Sequence, residues 1–356
     1  MGGFSAARGG VEVGRRLLDR YDALLLDLDG TVFRGGEPVA DAQATLVRAR
    51  AAGLTLRFVT NNASRTPGEV ADHLRAIGFA ADVPEVSTSA QAGAAVLAGR
   101  LDPGTEVLVV GSAALRAEVA SVGLRPVPAA EAASPERFAA VVQGHSVATA
   151  WPDLAAACQA IRSGAWWVAC NLDPTVPTER GQLPGNGSMV AALRAATGQA
   201  PEVAGKPKAP LFEEAARTAG STRPLVVGDR LDTDIEGAVE GGMDALLVLS
   251  GVTDPAALLA AEAARRPEYL AADLDSVLED AESLRIVPQQ DWRIEIVGGE
   301  LTVRASGSEP TSEQPQALGL LRGLCAAWWT GRESAGRPVV RPLDETSRAV
   351  VNALGL

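Results

Sequence analysis

The stretch Ala23-Leu24-Leu25-Leu26-Asp27-Leu28-Asp29-Gly30-Thr31 decides the fold prediction for this chain. It opens with a short apolar run, which acids and turn residues follow at once. A run that is apolar throughout, rather than at alternate positions, is typical of a strand buried on both faces of a parallel sheet. We therefore predict a buried strand over residues 23–27, with Asp27 and Asp29 at the point where it ends.

Similar strands recur along the chain, each followed by polar residues. They are Leu54–Val59 before Thr60-Asn61-Asn62, Pro224–Val227 before Gly228-Asp229, and Asp244–Leu249. Helical stretches at about 41–52 and 234–241 separate them. Strands that alternate with helices predict an α/β fold with a doubly wound parallel sheet, in which ligands bind at the carboxyl ends of the strands.

Two further regions differ from this pattern. A chain of 356 residues predicts two or three domains at about 150 residues each. Residues 102–196 carry their own strands, Val107–Val110, Ala139–Val142 and Trp166–Cys170, which predict an inserted α/β domain. The first domain would then comprise residues 1–101 and 197–284.

Residues 285–356 predict a small C-terminal α+β module. Alternating runs at Trp292–Val297 and Glu300–Ala305 flank Gly298-Gly299, which is typical of a hairpin. A linker rich in Ser, Glu and Pro (306–315) and an apolar helix at about 317–329 follow.

Composition excludes several classes of protein. The formal net charge of −12 argues against a nucleic-acid partner and against an anionic membrane surface. No apolar stretch reaches the ~18 residues of a transmembrane helix, and the N-terminus lacks the apolar core of a signal peptide. The three cysteines form no CxxC pair, which suits a reducing compartment. We expect a cytoplasmic protein.

Asp27 and Asp29 form the first candidate catalytic pair. One carboxylate could attack phosphorus to give an aspartyl-phosphate. The other could protonate the leaving oxygen and then deprotonate the attacking water. Taken alone, the pair is equally consistent with a surface turn, because Asp-Gly is a common turn dipeptide.

A second acidic group follows the strand at Pro224–Val227 and contains Asp229, Asp232 and Asp234. If these acids lie beside Asp27 and Asp29, each like-charge pair at ~4 Å costs roughly 4 kcal/mol at an effective dielectric of 20. A divalent cation removes that repulsion, and oxygen ligands without His or Cys favour Mg²⁺ over zinc. The alternative is that Asp232 or Asp234 is only the N-cap of a helix.

Two further motifs suit a phosphate group. Thr60-Asn61-Asn62 offers a hydroxyl, amides and backbone N–H groups at a strand end, although Asn-Asn is also a plain turn. Gly205-Lys206-Pro207 is not a Walker A loop, but a lysine point charge could balance a nucleophile and a phosphate. The chain has two lysines against 30 arginines, so Lys206 is a candidate for a place where arginine would not serve.

These four motifs resemble, in order and spacing, those of the haloacid dehalogenase-like phosphatase superfamily. The resemblance implies that Asp27 is the nucleophile and Asp29 the general acid and base. It places Thr60 and Lys206 on the phosphate, and it makes Asp229, Asp27 and the backbone carbonyl of Asp29 ligands of Mg²⁺. Asp234 would support the site.

Thr60-Asn61-Asn62, Gly205-Lys206-Pro207 and residues 227–235 are further similar to the NagD/4-nitrophenylphosphatase branch, as is the loop from Asn171 to Ser188. That branch carries a large α/β cap where residues 102–196 lie. With its C-terminal extension, the chain resembles bacterial glycerol 3-phosphate phosphatases. The resemblance implies a small phosphomonoester substrate, glycerol 3-phosphate first and 2-phosphoglycolate next.

The sequence leaves several alternatives open. Pyridoxal phosphate or a nucleotide is an alternative substrate, and a phospho-accepting signalling protein is an alternative class, although Asp29 speaks against it. We expect Val176, in the cap loop, to face the substrate with an apolar wall. A homodimer through the cap is a further expectation, with Trp166 and Trp167 in the cap core or at that contact.

Overall fold

The computed structural model describes residues 15–178, 180–307, 313–331 and 337–356. Within these ranges the strands are β1 (Ala23–Leu26), β2 (Phe33–Arg34), β3 (Glu37–Pro38), β4 (Thr55–Thr60), β5 (Val86–Thr88), β6 (Glu106–Val110), β7 (Arg125–Pro128), β8 (Ala140–Gln143), β9 (Trp166–Ala169), β10 (Thr175–Thr178), β11 (Gly181–Pro184), β12 (Glu202–Val203), β13 (Pro224–Gly228), β14 (Asp244–Val248), β15 (Tyr269–Ala271), β16 (Trp292–Val297), β17 (Glu300–Ala305) and β18 (Val340–Pro342). The α-helices of the same ranges are α1 (Ala42–Ala51), α2 (Pro67–Ala76), α3 (Ser89–Ala98), α4 (Ala113–Ser121), α5 (Trp151–Arg162), α6 (Asn186–Thr197), α7 (Pro210–Ala219), α8 (Glu236–Glu240), α9 (Pro255–Leu259), α10 (Ala281–Leu284), α11 (Glu313–Thr330) and α12 (Glu345–Ala353).

The central sheet has six strands in the order β15-β14-β13-β1-β4-β5. All its neighbouring strands run parallel. Leu24 and Leu26 of β1 pack with Phe58 on one face, whereas Leu25 packs with Val226 on the other. Because helices cover both faces, every position of β1 is buried, which accounts for its uninterrupted apolar run. The predicted α/β class with a doubly wound parallel sheet is confirmed.

A second parallel sheet, in the order β12-β9-β8-β6-β7, forms the cap. Helices α5 and α6 share a buried cluster with one of its faces, and residues of α3 and α4 belong to the cluster on the other. Strand β12 lies beyond residue 196, the predicted end of the cap. The sequence did not predict this strand, because its two residues are too few to form an apolar run. The domain limits themselves stay a prediction.

The C-terminal module contains the three-stranded sheet β16-β17-β18. Strands β16 and β17 pair antiparallel from Trp292↔Ala305 to Val297↔Glu300, so the predicted hairpin is confirmed with its predicted bounds. Strand β18 pairs parallel with β17 and gave no signal in the sequence. Helix α11 begins earlier than expected, inside the predicted linker 306–315, of which residues 308–312 lie outside the described residues.

The helix expected over 234–241 is divided. A single π-helical turn occupies Leu231–Ile235, and α8 follows over Glu236–Glu240. The backbone N–H of Arg230 donates to the carboxylate of Asp234 at 3.2 Å. The helical segment thus starts directly after β13 and keeps the Asp234 side chain close to the strand end. Such π-turns occur often at functional sites.

Helix α11 attaches the C-terminal module to edge strand β15 of the central sheet. Arg322 is 7% exposed and donates from Nε (3.1 Å) and Nη2 (2.7 Å) to the carbonyl oxygen of Leu270. Burial lowers the pKa of Arg322 to about 10. On the same helix the indole Nε1 of Trp329 donates to the Leu259 carbonyl at the end of α9, at 3.3 Å.

We predict that Arg322→Ala lowers the free energy of unfolding by about 2–4 kcal/mol, because it removes a buried stem and leaves the Leu270 carbonyl unpaired. Urea denaturation followed by circular dichroism measures this change. The matched control is Arg348→Ala on the exposed face of α12, where we expect a change within about 0.5 kcal/mol. Equal effects of the two substitutions would contradict the assignment of Arg322 as the attachment of the module.

Candidate active site

The candidate site lies at the carboxyl edge of the central sheet, where three adjacent strands end. In the order β13-β1-β4, Leu26 is in register with Val227 on one side and Phe58 on the other. Asp27 therefore follows the central strand of the three, and its backbone N–H donates to the Val227 carbonyl at 2.9 Å. Asp229 directly follows one flanking strand and Thr60 ends the other. Because the three strands are parallel, these residues lie at the same edge of the sheet as Asp27.

Lys206 is the positive centre of this edge. Its side chain is 2% exposed, and Nζ donates to Asp27 Oδ1 at 2.5 Å, Asp234 Oδ1 at 2.8 Å and the Val59 carbonyl at 3.1 Å. An ammonium group has three N–H donors, and all three are used here. Such a site suits the compact charge of lysine rather than the wide, planar guanidinium of arginine. Burial alone would lower the pKa of Lys206, but Asp234 and Asp27 outweigh it and raise the pKa.

Three carboxylates gather around this edge. One oxygen each from Asp27, Asp229 and Asp234 lies within 4.8 Å of the others. Burial raises the pKa of Asp27, against the opposing charge of Lys206. Burial and the charge of Asp234 raise the pKa of Asp229 to about 6. Three carboxylates beside one ammonium leave an excess of negative charge when all are ionised.

Glycines allow the backbone to approach these carboxylates closely. A Cβ at Gly251 would lie 1.9 Å from Asp229 Oδ2, and one at Gly30 would lie 2.5 Å from the same atom. A Cβ at Gly228 would lie 2.3 Å from the Cβ of Asp234. The approach at Gly251 brings the N–H of the next residue, Val252, within 2.6 Å of Asp229 Oδ2. The conformation of Asp229 is thus fixed from two loops.

The donor set fits a divalent cation. Asp229 Oδ1 is buried and has no hydrogen-bond partner, whereas both oxygens of Asp234 accept hydrogen bonds, from Lys206 and from the backbone of Arg230. An orphaned carboxylate oxygen at a crowded anionic edge, with oxygen ligands only, matches Mg²⁺ chemistry. The geometry favours Asp27 and Asp229 as direct ligands and Asp234 as a support for Lys206.

Asp29 and Val176 are the predicted site residues that stand apart from this cluster. Asp29 is exposed, in the loop after β1, where it forms an isolated bridge with Phe33. Val176 is half-buried on the cap hairpin, opposite Leu183. The roles predicted for these two side chains stay predictions.

The Thr60-Asn61-Asn62 segment differs in detail from its prediction as a phosphate cradle. The Thr60 hydroxyl accepts from the Asn62 N–H at 3.2 Å. Asn62 Oδ1 accepts from the backbone N–H groups of Ser64 and Arg65, both at 2.9 Å. The side chain of Asn61 is likewise bonded within the protein. The contact of these three residues with a phosphate stays a prediction.

The sequence marked the loop from Asn171 as similar to the NagD/4-nitrophenylphosphatase branch, but it gave no site role to two residues of that loop which reach this edge. Asn171 Nδ2 donates to the Asn61 carbonyl at 2.6 Å, and Asp173 Oδ1 accepts from Asn61 Nδ2 at 3.2 Å. Both residues lie in the loop after β9, so a strand-end signal like the one that marked Asp27 and Asp229 was present in the cap. Only the structure shows that the carboxyl edges of the two sheets face each other here.

Three protein-family models match parts of the chain. The model described as haloacid dehalogenase-like hydrolase matches residues 24–125, and a HAD-hydrolase-like model matches residues 203–277. A model of a GCN5-related N-acetyltransferase like domain matches residues 289–356.

Two curated relatives are similar over most of their length. A D-glycerol 3-phosphate phosphatase of Mycobacterium tuberculosis is 49% identical over 346 residues, 96% of each chain. The 5'-nucleotidase YutF of Bacillus subtilis is 37% identical over 65% of this chain and 89% of its own.

Solved structures agree with these relatives. A glycerol phosphate phosphatase of Mycobacterium tuberculosis in complex with magnesium superposes with a TM-score of 0.87 at 48% identity, over 96% of this chain and 99% of that one. A 4-nitrophenylphosphatase of Thermotoga maritima superposes with a TM-score of 0.65 at 26% identity, over 74% and 98%. Among the described helices of the present chain, none has the length and apolarity to span a membrane.

We predict that Asp229→Asn weakens Mg²⁺ binding at least tenfold, because it removes the negative charge of the carboxylate with the orphaned oxygen. Isothermal titration calorimetry with MgCl₂ measures the affinity. The matched control is Asp232→Asn, three residues away, whose exposed carboxylate pairs with Arg230. We expect this control to bind within about twofold of the parent chain. Equal affinities of all three proteins would place the cation elsewhere.

Proposed function

The chain belongs to the haloacid dehalogenase-like hydrolases, and from this premise we propose that it is a Mg²⁺-dependent phosphatase of small phosphomonoesters, with glycerol 3-phosphate as the preferred substrate. The observation that carries the chemistry is the contact of Lys206 with Asp27, beside an Asp229 oxygen that lacks a partner. The match to the mycobacterial D-glycerol 3-phosphate phosphatase supports the substrate, because it extends through the C-terminal module.

Asp27 is the proposed nucleophile. A carboxylate oxygen of Asp27 attacks the phosphorus atom, the bond from phosphorus to the leaving oxygen breaks, and an aspartyl-phosphate forms. Lys206 holds the attacking carboxylate in place and offsets the negative charge that collects at the phosphoryl group. The Thr60 hydroxyl would donate to a phosphate oxygen at the adjacent strand end.

Asp29 is the proposed general acid and base. Its protonated form gives a proton to the departing alkoxide, so that the alcohol leaves neutral. Its carboxylate then takes a proton from the water that attacks phosphorus, and inorganic phosphate leaves while Asp27 is regenerated. An exposed carboxylate two residues after the nucleophile in sequence suits this role, because it must give up a proton in the first half-reaction and take one up in the second.

Asp27, Asp229 and the backbone carbonyl of Asp29 would hold Mg²⁺. When bound, the ion supplies positive charge that offsets the repulsion between the phosphate dianion and the carboxylates. Phosphomonoester hydrolysis is among the slowest uncatalysed reactions, so a large stabilisation of charge is needed.

The cap is the proposed selector of the leaving group. Its loop 171–174 already contacts the core through Asn61, and the hairpin β10–β11 follows at once. A cap that closes over this edge would exclude bulk water and present Val176 to the substrate. The homodimer through the cap and the cytoplasmic location stay predictions.

We predict that Asp27→Asn abolishes phosphate release, by at least about 10³-fold, because an amide cannot form the aspartyl-phosphate. The assay follows phosphate release from glycerol 3-phosphate, 2-phosphoglycolate, pyridoxal phosphate and a nucleoside 5'-monophosphate, with Mg²⁺ and with EDTA. Metal-dependent turnover ranked with glycerol 3-phosphate first is the expected result.

Other outcomes of this assay would revise the proposal. A nucleotide ranked first would favour the activity of the Bacillus relative. A phosphorylated Asp27 that persists without turnover would favour a phospho-accepting signalling protein. Unchanged turnover in Asp27→Asn would contradict the assignment of Asp27 as the nucleophile.

We predict that Val176→His changes the ranking of substrates, lowering kcat/KM for glycerol 3-phosphate relative to the larger pyridoxal phosphate by at least threefold. An imidazole replaces an apolar wall with a larger polar surface at that position. The control is Thr175→His, because neighbouring residues of a strand point to opposite faces. If both variants kept the parent ranking, Val176 would not face the substrate.

A further inference from the structure

Asn61 joins the loop of the catalytic lysine to the cap loop. Its Oδ1 accepts from the backbone N–H of Lys206 at 2.8 Å, and its Nδ2 donates to the Lys206 carbonyl at 3.1 Å. The amide side chain thus pairs with both backbone polar groups of one residue. The same Nδ2 also donates to Oδ1 of Asp173, in the cap loop, at 3.2 Å.

The backbone of Asn61 is held from two further directions. Its carbonyl oxygen accepts from Ser89 Oγ and from Asn171 Nδ2, both at 2.6 Å. The fit is close, since a Cβ at Gly205 would lie 2.5 Å from Asn61 Oδ1 and 2.3 Å from the Cys170 carbonyl. Three segments therefore meet here: the core loop after β4, the cap loop after β9, and the lysine loop before α7.

The cap side of this junction is anchored to a long helix. The Asn171 carbonyl accepts from Asn186 Nδ2 at 2.7 Å, and the Asp173 carbonyl accepts from the Gly187 N–H at 2.9 Å. Both donors lie in the first turn of α6. A movement of the cap sheet relative to the core would therefore move the cap loop as a unit against Asn61.

We propose that Asn61 is a positioning residue which couples the seating of cap loop 171–173 to the placement of the Lys206 ammonium, a role that rests on the proposed function. Seating the cap loop supplies the Asp173 acceptor to Asn61 Nδ2 and the Asn171 donor to its carbonyl. Both contacts orient the amide that pairs with the Lys206 backbone. Asn61 thereby acts through Lys206 and not on the phosphate, which revises the substrate-binding role predicted for its side chain.

Asp173 is the residue that tests the coupling with least risk to the fold, because its side chain is only half-buried. We predict that Asp173→Ala lowers kcat by about tenfold, the effect of one lost charge-assisted hydrogen bond. Asp173→Asn keeps the Oδ1 acceptor and should retain kcat within about threefold. Asp102→Ala, an exposed carboxylate before β6 at the opposite edge of the cap sheet, is the matched control.

A double-substitution cycle separates coupling from independent effects. Asn61→Ala should lower kcat more than Asp173→Ala, and adding Asp173→Ala to Asn61→Ala should cause no further loss. Losses that multiply would overturn the coupling. So would an Asp173→Ala variant that raises KM at unchanged kcat, since that pattern describes a direct contact with substrate.

A second measurement does not depend on catalysis. Hydrogen exchange followed by mass spectrometry reports the Lys206 N–H, which donates to Asn61 Oδ1. We expect faster exchange in peptides covering residues 204–208 for Asp173→Ala, with no change for Asp102→Ala. Unchanged exchange in Asp173→Ala overturns the coupling even if the parent chain is an active phosphatase. Faster exchange in a chain inactive on every phosphomonoester would retain the coupling and reject the proposed function.

Discussion

The buried ammonium of Lys206 is the interaction on which the arrangement of the site depends. A lysine that is 2% exposed is stable only if its charge is balanced and all its donors are bonded. Its three acceptors come from the end of β1, from the penultimate residue of β4 and from the π-turn after β13. These acceptors can converge only because β13, β1 and β4 are adjacent in the sheet. The buried charge of Lys206 is therefore balanced only in this strand order.

The cap meets the core at the same edge. The Ser112 hydroxyl, just after β6, donates to the Ala63 carbonyl at 3.1 Å. A Cβ at Gly144, just after β8, would lie 3.0 Å from the Cβ of Ala63. Asn171, after β9, reaches Asn61. Three neighbouring cap strands therefore end against one core loop, so the two parallel sheets present their carboxyl ends to each other across the site.

The strand ends of the core were predictable because each is marked by a local pattern. Continuous apolar runs that stop at an acid located Asp27 and Asp229, and the scarcity of lysine singled out Lys206. The bonds of Asn61 were not predictable, since its partners lie 112 and 145 residues away in sequence. The buried Arg322 gave no signal either, because its position in an otherwise apolar helix is explained only by the Leu270 carbonyl of an edge strand. Local patterns specify elements, whereas polar partners across elements depend on how those elements pack.

The C-terminal module is connected to the site through the structure of the core. Helix α11 donates to Leu270 on β15 and, through Trp329, to Leu259 at the end of α9. Arg266 donates back to the Trp329 carbonyl at 3.2 Å and lies over the indole ring. Helix α9 begins three residues after Val252, whose N–H fixes Asp229 Oδ2. The module therefore packs against the helix that directly follows the segment orienting the proposed magnesium ligand.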